Sequence, residues 1–251
     1  MNRRYALTDS QGAQIKDLLP GRAGHVGAPA KDNRLFVDAV LYRYRVGIPW
    51  RDLPERFGDF RVVHLRHMRW SRSGVWQRVF QALASQADNE YAMIDATIVR
   101  AHQHSSGGKG GLPQAIGRSR GGLSTKIHAT VDALGNPTSF VLTAGQASDL
   151  DGADVLLKGI DAQMVIADKA YDAQQRVVDP LLKAGKAVVI PSIRTRAVQR
   201  EYDRHLYKAR HLIENFFARL KQYRAIATRY DKTAIAFLGS IHLAATVVWL
   251  I

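Results

Sequence analysis

Residues 91–99 read YAMIDATIV, a run of apolar and β-branched residues long enough for a strand and interrupted by one acid, Asp95. Four further runs of this kind follow it, STKIHATVDA, TSFVLTAG, QMVIADK and AVVIPS, bounded by Gly, Pro or Asn-Pro turns. The first three lie close together, with LGNP as a hairpin turn between the second and third. The last two are separated by helical stretches, SDLDGADVLLKGI before the fourth and QQRVVDPLLKAG before the fifth. Three strands in a meander followed by two in α/β order predict a mixed five-stranded sheet with flanking helices.

Ahead of Glu90 the pattern is helical. Thr8 and Gln11 make a capping box for a helix through Leu19, and Asp32 or Asn33 caps RLFVDAVLYRYR. In GIPWRDLPERFGDFRVVHLRHMRWSRSGVWQRVFQALA a short helix, a Gly-containing turn at Phe57 to Phe60 and a longer helix with Arg61, His64, Arg66 and Arg69 succeed one another. This is helix-turn-helix grammar, although an ordinary helical domain with a solvated basic face reads the same way. Trp50, Trp70 and Trp76 are expected to pack it together. The chain is thus read as a small all-α, helix-turn-helix-like DNA-binding domain over 1–88 and an α/β domain over 89–251.

The formal charge of +14 and the pI near 10.2 point to a polyanionic partner, and both halves share the excess, so it is not a tail. Without cysteine, zinc fingers, thiol catalysis and disulfides are excluded, and a reducing cytoplasm fits. MNRRYALTDSQG has no apolar run after its charges, so no signal peptide is expected. TAIAFLGSIHLAATVVWLI has about the length of a membrane span, yet it holds Ser240, His242 and Thr246 and no basic residue follows it. A buried closing helix is expected there, and no membrane partner. GGKGG lacks the GxxxxGK[ST] pattern of a phosphate-binding loop and is read as a plain loop.

Asp95 and Asp168, the latter at the end of MVIADKAYD, put acids in or beside the sheet core, where a lone carboxylate is costly. Each has a structural reading: Asp168 as a helix cap, Asp95 as the partner of a lysine. A third acid, Glu214, sits in YKARHLIENFFARLK (207–221), a helix whose Leu212, Ile213, Phe216, Phe217 and Leu220 form an apolar side. At 100° per residue Tyr207, Arg210, Glu214 and Lys221 share the other side. Arg210 and Glu214 make an i,i+4 pair on a solvated face, or Glu214 joins the two aspartates. Three convergent carboxylates need a cation, and hard oxygen ligands suit Mg²⁺ or Mn²⁺. Two such ions about 4 Å apart clamp the attacking and leaving oxygens of a phosphodiester, with Arg210 and Lys221 beside the phosphates.

These residues resemble bacterial insertion-sequence transposases of the Asp-Asp-Glu class. Asp95 in IDAT, Asp168 in ADKAYD and the spacing of Tyr207, Arg210, Glu214 and Lys221 are similar to that class's Y-x-x-R-x-x-x-E-x-x-x-x-x-x-K signature. GRSRGGLSTKIHATVDALGNP, RHLIENFFARLKQYRAIATRYDK and GIPWRDLPERFG resemble the insertion-sequence-five family in particular. The resemblance implies a ribonuclease H-like fold with the catalytic Asp residues on the first and fourth strands and the Glu on a following helix. It further implies a transposase that binds terminal inverted repeats, cuts there and joins the freed 3′-hydroxyl to target DNA. Asp95, Asp168 and Glu214 would be catalytic metal ligands, and Tyr207, Arg210 and Lys221 would contact DNA. No inserted β-rich domain is expected between Asp168 and Glu214. A dimer at the synapse of two ends, and a bacterial, cytoplasmic, nucleoid-associated location, belong to the same expectation.

Further DNA contacts are expected from Arg61, Arg66 and Arg69, and from Arg118, Arg120 and Lys126 around a glycine-rich turn, unless these are simply solvated. His102 and His104 form an HxH that either faces a metal or has a surface or DNA-contacting role. Asp149, Asp151 and Asp154 are read as the acidic start of a helix capped by Ser148. Two other functions stay open: a DNA-binding derivative that no longer reacts, and a nuclease of the same fold that uses only water.

Overall fold

The structure, a computed structural model, describes residues 4–22, 29–106 and 114–251. The GGKGG stretch lies outside the described residues. The chain forms two compact units: one from Gln86–Ala101 and Gly111–Arg219, the other from Met1–Ser85, His102–Gly110 and Leu220–Ile251. The chain leaves the helical unit after Ser85 and returns to it over His102–Gly110 and from Leu220 onward, whereas a single division after residue 88 was expected.

The sheet unit is built on β1 (Tyr91–Ala101), β3 (Gly122–Val131) and β4 (Pro137–Ala144), an antiparallel meander, with β5 (Met164–Ile166) and β6 (Ala187–Val189) added in parallel beyond β1. Spatially the order is β4, β3, β1, β5, β6, the ribonuclease H-like arrangement. A short β2 (Gly117–Ser119) pairs with the start of β3 and turns the glycine-rich segment into a hairpin of its own, which periodicity did not reveal. The LGNP turn is held by Asp132, whose Oδ1 accepts from the N–H groups of Leu134 and Asn136 at 3.0 and 2.7 Å.

Alternation sorts the strands into two faces. Ile94, Val165 and Ala167 meet Ala153 and Leu156 of α5 (Asp149–Leu156) in one buried cluster. Gly152 lets α5 approach the sheet, since a Cβ there would lie 2.1 Å from His128 Nδ1. Ser148 caps α5 through Leu150, as expected, and the three acids are paired: Asp149 with Lys126, Asp151 and Asp154 with Arg176. The helix before β6 is split, a π-turn over Gln174–Val178 leading into α6 (Asp179–Lys183), where Pro180 has no N–H to continue an α ladder. On the other face Asp95, Ala129 and Phe140 are in register across three strands, and Phe216 of α8 (His211–Lys221) packs on Phe140 with ring centroids 5.8 Å apart. The expected single helix over 207–221 is instead α7 (Arg204–Tyr207), a 3-10 turn over Lys208–Arg210 and α8.

In the helical unit, the Thr8–Gln11 capping box opens α1 (Asp9–Lys16), and Asp32 caps α2 (Asn33–Val46) through Leu35. Two 3-10 turns lead to α3 (Phe60–Arg72), capped by Asp59, and α4 (Val75–Ala84) follows. Trp70 and Trp76 pack edge to face at 4.9 Å, while Trp50 packs on Tyr44, His64 and His67. After α9 (Arg224–Ala227), the apolar C-terminal stretch forms α10 (Ala234–Trp249), packed against α3 and α4. Gly239 makes that approach possible, because a Cβ would stand 2.5 Å from Ser71 Oγ. No described helix is long and apolar enough to cross a membrane.

Candidate active site

β1 and β5 run parallel with Tyr91, Ala92 and Met93 opposite Met164, Val165 and Ile166. Continuing that register by two residues puts Asp168 opposite Asp95, on the face that α8 covers. β5 ends at Ile166, so Asp168 lies just past the strand, where its Oδ1 accepts from Ala170 N–H at 2.7 Å and caps a 3-10 turn. Capping and membership of the site are therefore compatible: one carboxylate oxygen fixes the turn and the other remains.

Burial, reinforced by Asp168 and Asp149, lifts Asp95 to about 6 against the opposing hydrogen bond from Ala96 N–H and the charge of Arg210. Burial thus makes the charged form of Asp95 costly, and the neighbouring Asp168 adds to that cost. Arg210 supplies the nearest positive charge, with Nη1 3.3 Å from Asp95 Oδ2 and Nη2 donating to Glu214 Oε1. Burial alone would lower the Arg210 pKa, but Glu214 and Asp95 outweigh it and hold the guanidinium above its ordinary value. Tyr207 is pushed up by burial and by Asp168, and its ring packs against Tyr202 at 5.4 Å. Asp95, Asp168, Tyr207, Arg210 and Glu214 therefore form one electrostatic group, drawn from β1, the end of β5 and the α7–α8 segment.

The expected set of three metal-binding carboxylates is not assembled: among the described residues no three His, Cys, Asp or Glu side chains are placed to hold a metal ion. One fork of Arg210 reaches each of Asp95 and Glu214, so the guanidinium holds the place where a shared cation would bring them together. The donor chemistry still fits a hard divalent ion, since all three groups are carboxylates and a cation would offset the cost of burying a charged Asp95.

Other expected site residues are placed differently. Lys126 lies on the opposite sheet face from Asp95, buried, with Nζ 2.7 Å from Asp149 Oδ1 and 2.6 Å from Ala147 O, so it secures α5. Arg118 and Arg120 are exposed on the β2–β3 hairpin, and Lys221 is exposed at the end of α8. In the helical unit Arg61 and Arg69 are exposed on α3. Arg66 is turned back, its guanidinium 4.2 Å from the Phe36 ring centroid and 4.7 Å from that of Trp70, and it donates to Asn33 Oδ1. His102 and His104 do not extend the strand, which ends at Ala101. They enter a 3-10 turn with rings 4.6 Å apart, and His102 Nδ1 accepts from His104 N–H.

Two residues near the acids escaped the sequence reading. Asp172, four residues after Asp168, has a fully buried side chain that binds Arg196 at 2.7 Å, Arg200 at 2.9 Å and Ile193 N–H at 2.8 Å. Burial acts to raise its pKa, but these partners reverse the effect, and the bridge ties residues 193–200 to the segment that carries Asp168. Tyr171 is buried with a hydroxyl that has no hydrogen-bond partner among the described residues. Burial, then Asp95, Asp149 and Asp168, hold it well above its ordinary value. The signal was the clustered polarity of ADKAYD against an otherwise apolar core.

Residues 7–80 match the family described as "Putative transposase of IS4/5 family", and residues 88–249 match the family described as "Transposase DDE domain". The chain is 43% identical over 131 residues to "Putative transposase for insertion sequence element IS6501" of Brucella ovis, covering 51% of this chain and 99% of that one. It is 48% identical over 113 residues to "Uncharacterized protein y4sN" of Sinorhizobium fredii, covering 43% and 90%. A solved structure, "Crystal structure of a pre-cleavage Mos1 transpososome", aligns over 96% of this chain and 84% of its own at 11% identity with a TM-score of 0.30. The DDE match spans well over half of the chain and contains all three acids, so the protein belongs to the DDE transposase family and is a DNA-cleaving transposase.

Proposed function

We propose that this transposase binds the terminal inverted repeats of an insertion sequence through its helical N-terminal domain, cleaves the DNA there and joins the freed 3′-hydroxyl to target DNA. The observation that carries the proposal is Arg210 shared between Asp95 and Glu214, with Asp168 close enough to act on Asp95 from just beyond the neighbouring strand. DDE-family members use divalent metal ions, and here Asp95, Asp168 and Glu214 are the residues that would hold Mg²⁺ or Mn²⁺, one ion or two. Such an ion supplies Lewis-acid stabilisation of the attacking and leaving oxygens.

The chain's own groups do the rest. Arg210 releases the carboxylates and takes a phosphate oxygen of the bound strand, for which its bidentate fork is suited. Tyr207 donates its O–H to the same backbone. Lys221 neutralises a phosphate farther along, about 10 Å from Glu214 at the rise of an α-helix. Asp172, with Arg196 and Arg200, keeps the Asp168 turn in place. Two such chains would hold the two ends of the element as a dimer.

The test is cleavage of a duplex carrying the element's terminus by wild-type protein and by Asp95→Asn, Asp168→Asn and Glu214→Gln in Mg²⁺. Each variant should fall to background while binding the duplex as wild type does; cleavage retained by all three refutes the assignment. Pre-cut ends then separate transposition from hydrolysis, because joined product requires the 3′-hydroxyl to attack. Nicking without joining would favour a nuclease of the same fold.

A further inference from the structure

Helix α3 leaves one face uncovered on which aliphatic and cationic side chains are interleaved. Arg61, Val62, Leu65, Arg69 and Arg72 are exposed, whereas Val63, His67, Trp70 and Ser71 on the other side are buried. At 100° per residue the five exposed positions fall within an arc of about 100°, over about 16 Å of helix. Val62 and Leu65 are 63% and 67% exposed and stand three residues apart, one turn along the same face. Scattered exposed aliphatic residues are ordinary; a pair set among three arginines on one helix face is more specific. The helix is also held rigidly from behind, by Trp70 against Trp76 and by Arg66 against Phe36.

A double-stranded DNA major groove meets both chemistries at once. Its phosphates suit the guanidinium groups, and the 5-methyl of thymine is the apolar group that a base edge offers there. An apolar protein partner would have to bury three arginines around two small aliphatic side chains, which the charge opposes. We propose that α3 lies in the major groove with Val62 and Leu65 against thymine 5-methyl groups, and with Arg61, Arg69 and Arg72 on the flanking phosphates. The inference rests on the reading that the helical domain binds DNA, and it adds which bases are selected and by which atoms.

The full-length protein is used to select binding sites from a random duplex pool, and the enriched duplex is then made with thymidine or with deoxyuridine, which lacks the methyl group. A buried methyl is worth about fourfold in affinity, so two contacts should favour the thymidine duplex by about fifteenfold. Val62→Ala/Leu65→Ala should bind both duplexes alike, at the wild-type affinity for the deoxyuridine duplex. Arg69→Gln should weaken both equally and lower the salt slope by about one. The proposal is overturned if the enriched site lacks thymine, if wild type binds the two duplexes equally, or if the double variant keeps the preference. A protein that enriches no sequence and binds neither duplex defeats the DNA-binding reading as well, which sets that failure apart from the others.

Discussion

In the helical unit Asp231 is enclosed. Tyr44 donates its O–H to the carboxylate at 3.0–3.1 Å, Arg43 stands 3.8 Å away, and Arg229 Nε–H donates to the Asp231 carbonyl at 2.9 Å. Behind Tyr44, Trp76 Nε1–H donates to His67 Nδ1, which leaves the imidazole proton on Nε2 facing the Tyr44 oxygen at 3.2 Å. In the sheet unit Asp95 also has an arginine and lies in an electrostatic group with a tyrosine, but Arg210 is shared with a half-exposed Glu214, and Asp168 adds a second negative charge. The first network gives Asp231 its own buried partners, although Arg43 Nε and Nη1 make no hydrogen bond among the described residues, and it joins the C-terminal segment to α2 and α3. In the second, one guanidinium is divided between two carboxylates, and Glu214 faces solvent. Similar groups therefore stabilise in one place and remain exchangeable in the other; the difference lies in burial and in how many partners each acid has to itself.

The largest effect should come from opening the closed network. Asp231→Ala leaves Arg43 buried without its carboxylate and the Tyr44 hydroxyl without its acceptor, and should cost about 3–5 kcal/mol in urea unfolding. A loss under 1 kcal/mol would show that the two sites do not differ as described. Next, burial holds His67 near 3, with Arg43 and His64 adding to it, and burial alone holds His242 near 4. Both rings are neutral in the fold and bind protons on unfolding, so their contribution is present above about pH 6.5 and is lost as pH falls toward 4. The unfolding free energy should fall with pH below about 6, approaching a slope of about 1.4 kcal/mol per pH unit for each ring near pH 5. His242→Leu should remove one share of that slope.

A smaller effect of opposite sign is expected at the open site. Asp95→Asn removes an under-compensated charge and should raise stability by about 1 kcal/mol while abolishing cleavage. Destabilisation instead would place Asp95 in the structural class of Asp231. The smallest effect is on metal affinity. Arg210→Ala should tighten Mn²⁺ binding, followed by electron paramagnetic resonance without DNA, by roughly threefold to tenfold, because a competing cation is gone. Weaker binding would mean that Arg210 helps to build the metal site.

What was legible in the sequence was mostly short-range. Thr8 with Gln11, Asp32 and Ser148 cap helices through atoms two or three residues away, and β1, β3 and β4 announce themselves by composition and by the turn between them. Less legible were elements that depend on a distant partner, such as β2, which exists only as the pair of β3. Lys126 and Arg66 show the same limit within the sites. Both look like surface cations in sequence, but Lys126 falls on the α5 face of the sheet and Arg66 is drawn onto Phe36 and Trp70.

The sequence by itself determined the class of fold, the positions of the three acids and the signature around Glu214, because periodicity, capping and residue chemistry act over a few bonds or one helical turn. Only the tertiary structure decided that Asp168 follows the strand beside the one that carries Asp95, that Arg210 reaches both Asp95 and Glu214, and that Asp231 meets Tyr44 and Arg43 of α2. Those relations join residues far apart in the chain, and they are fixed by strand register and helix packing.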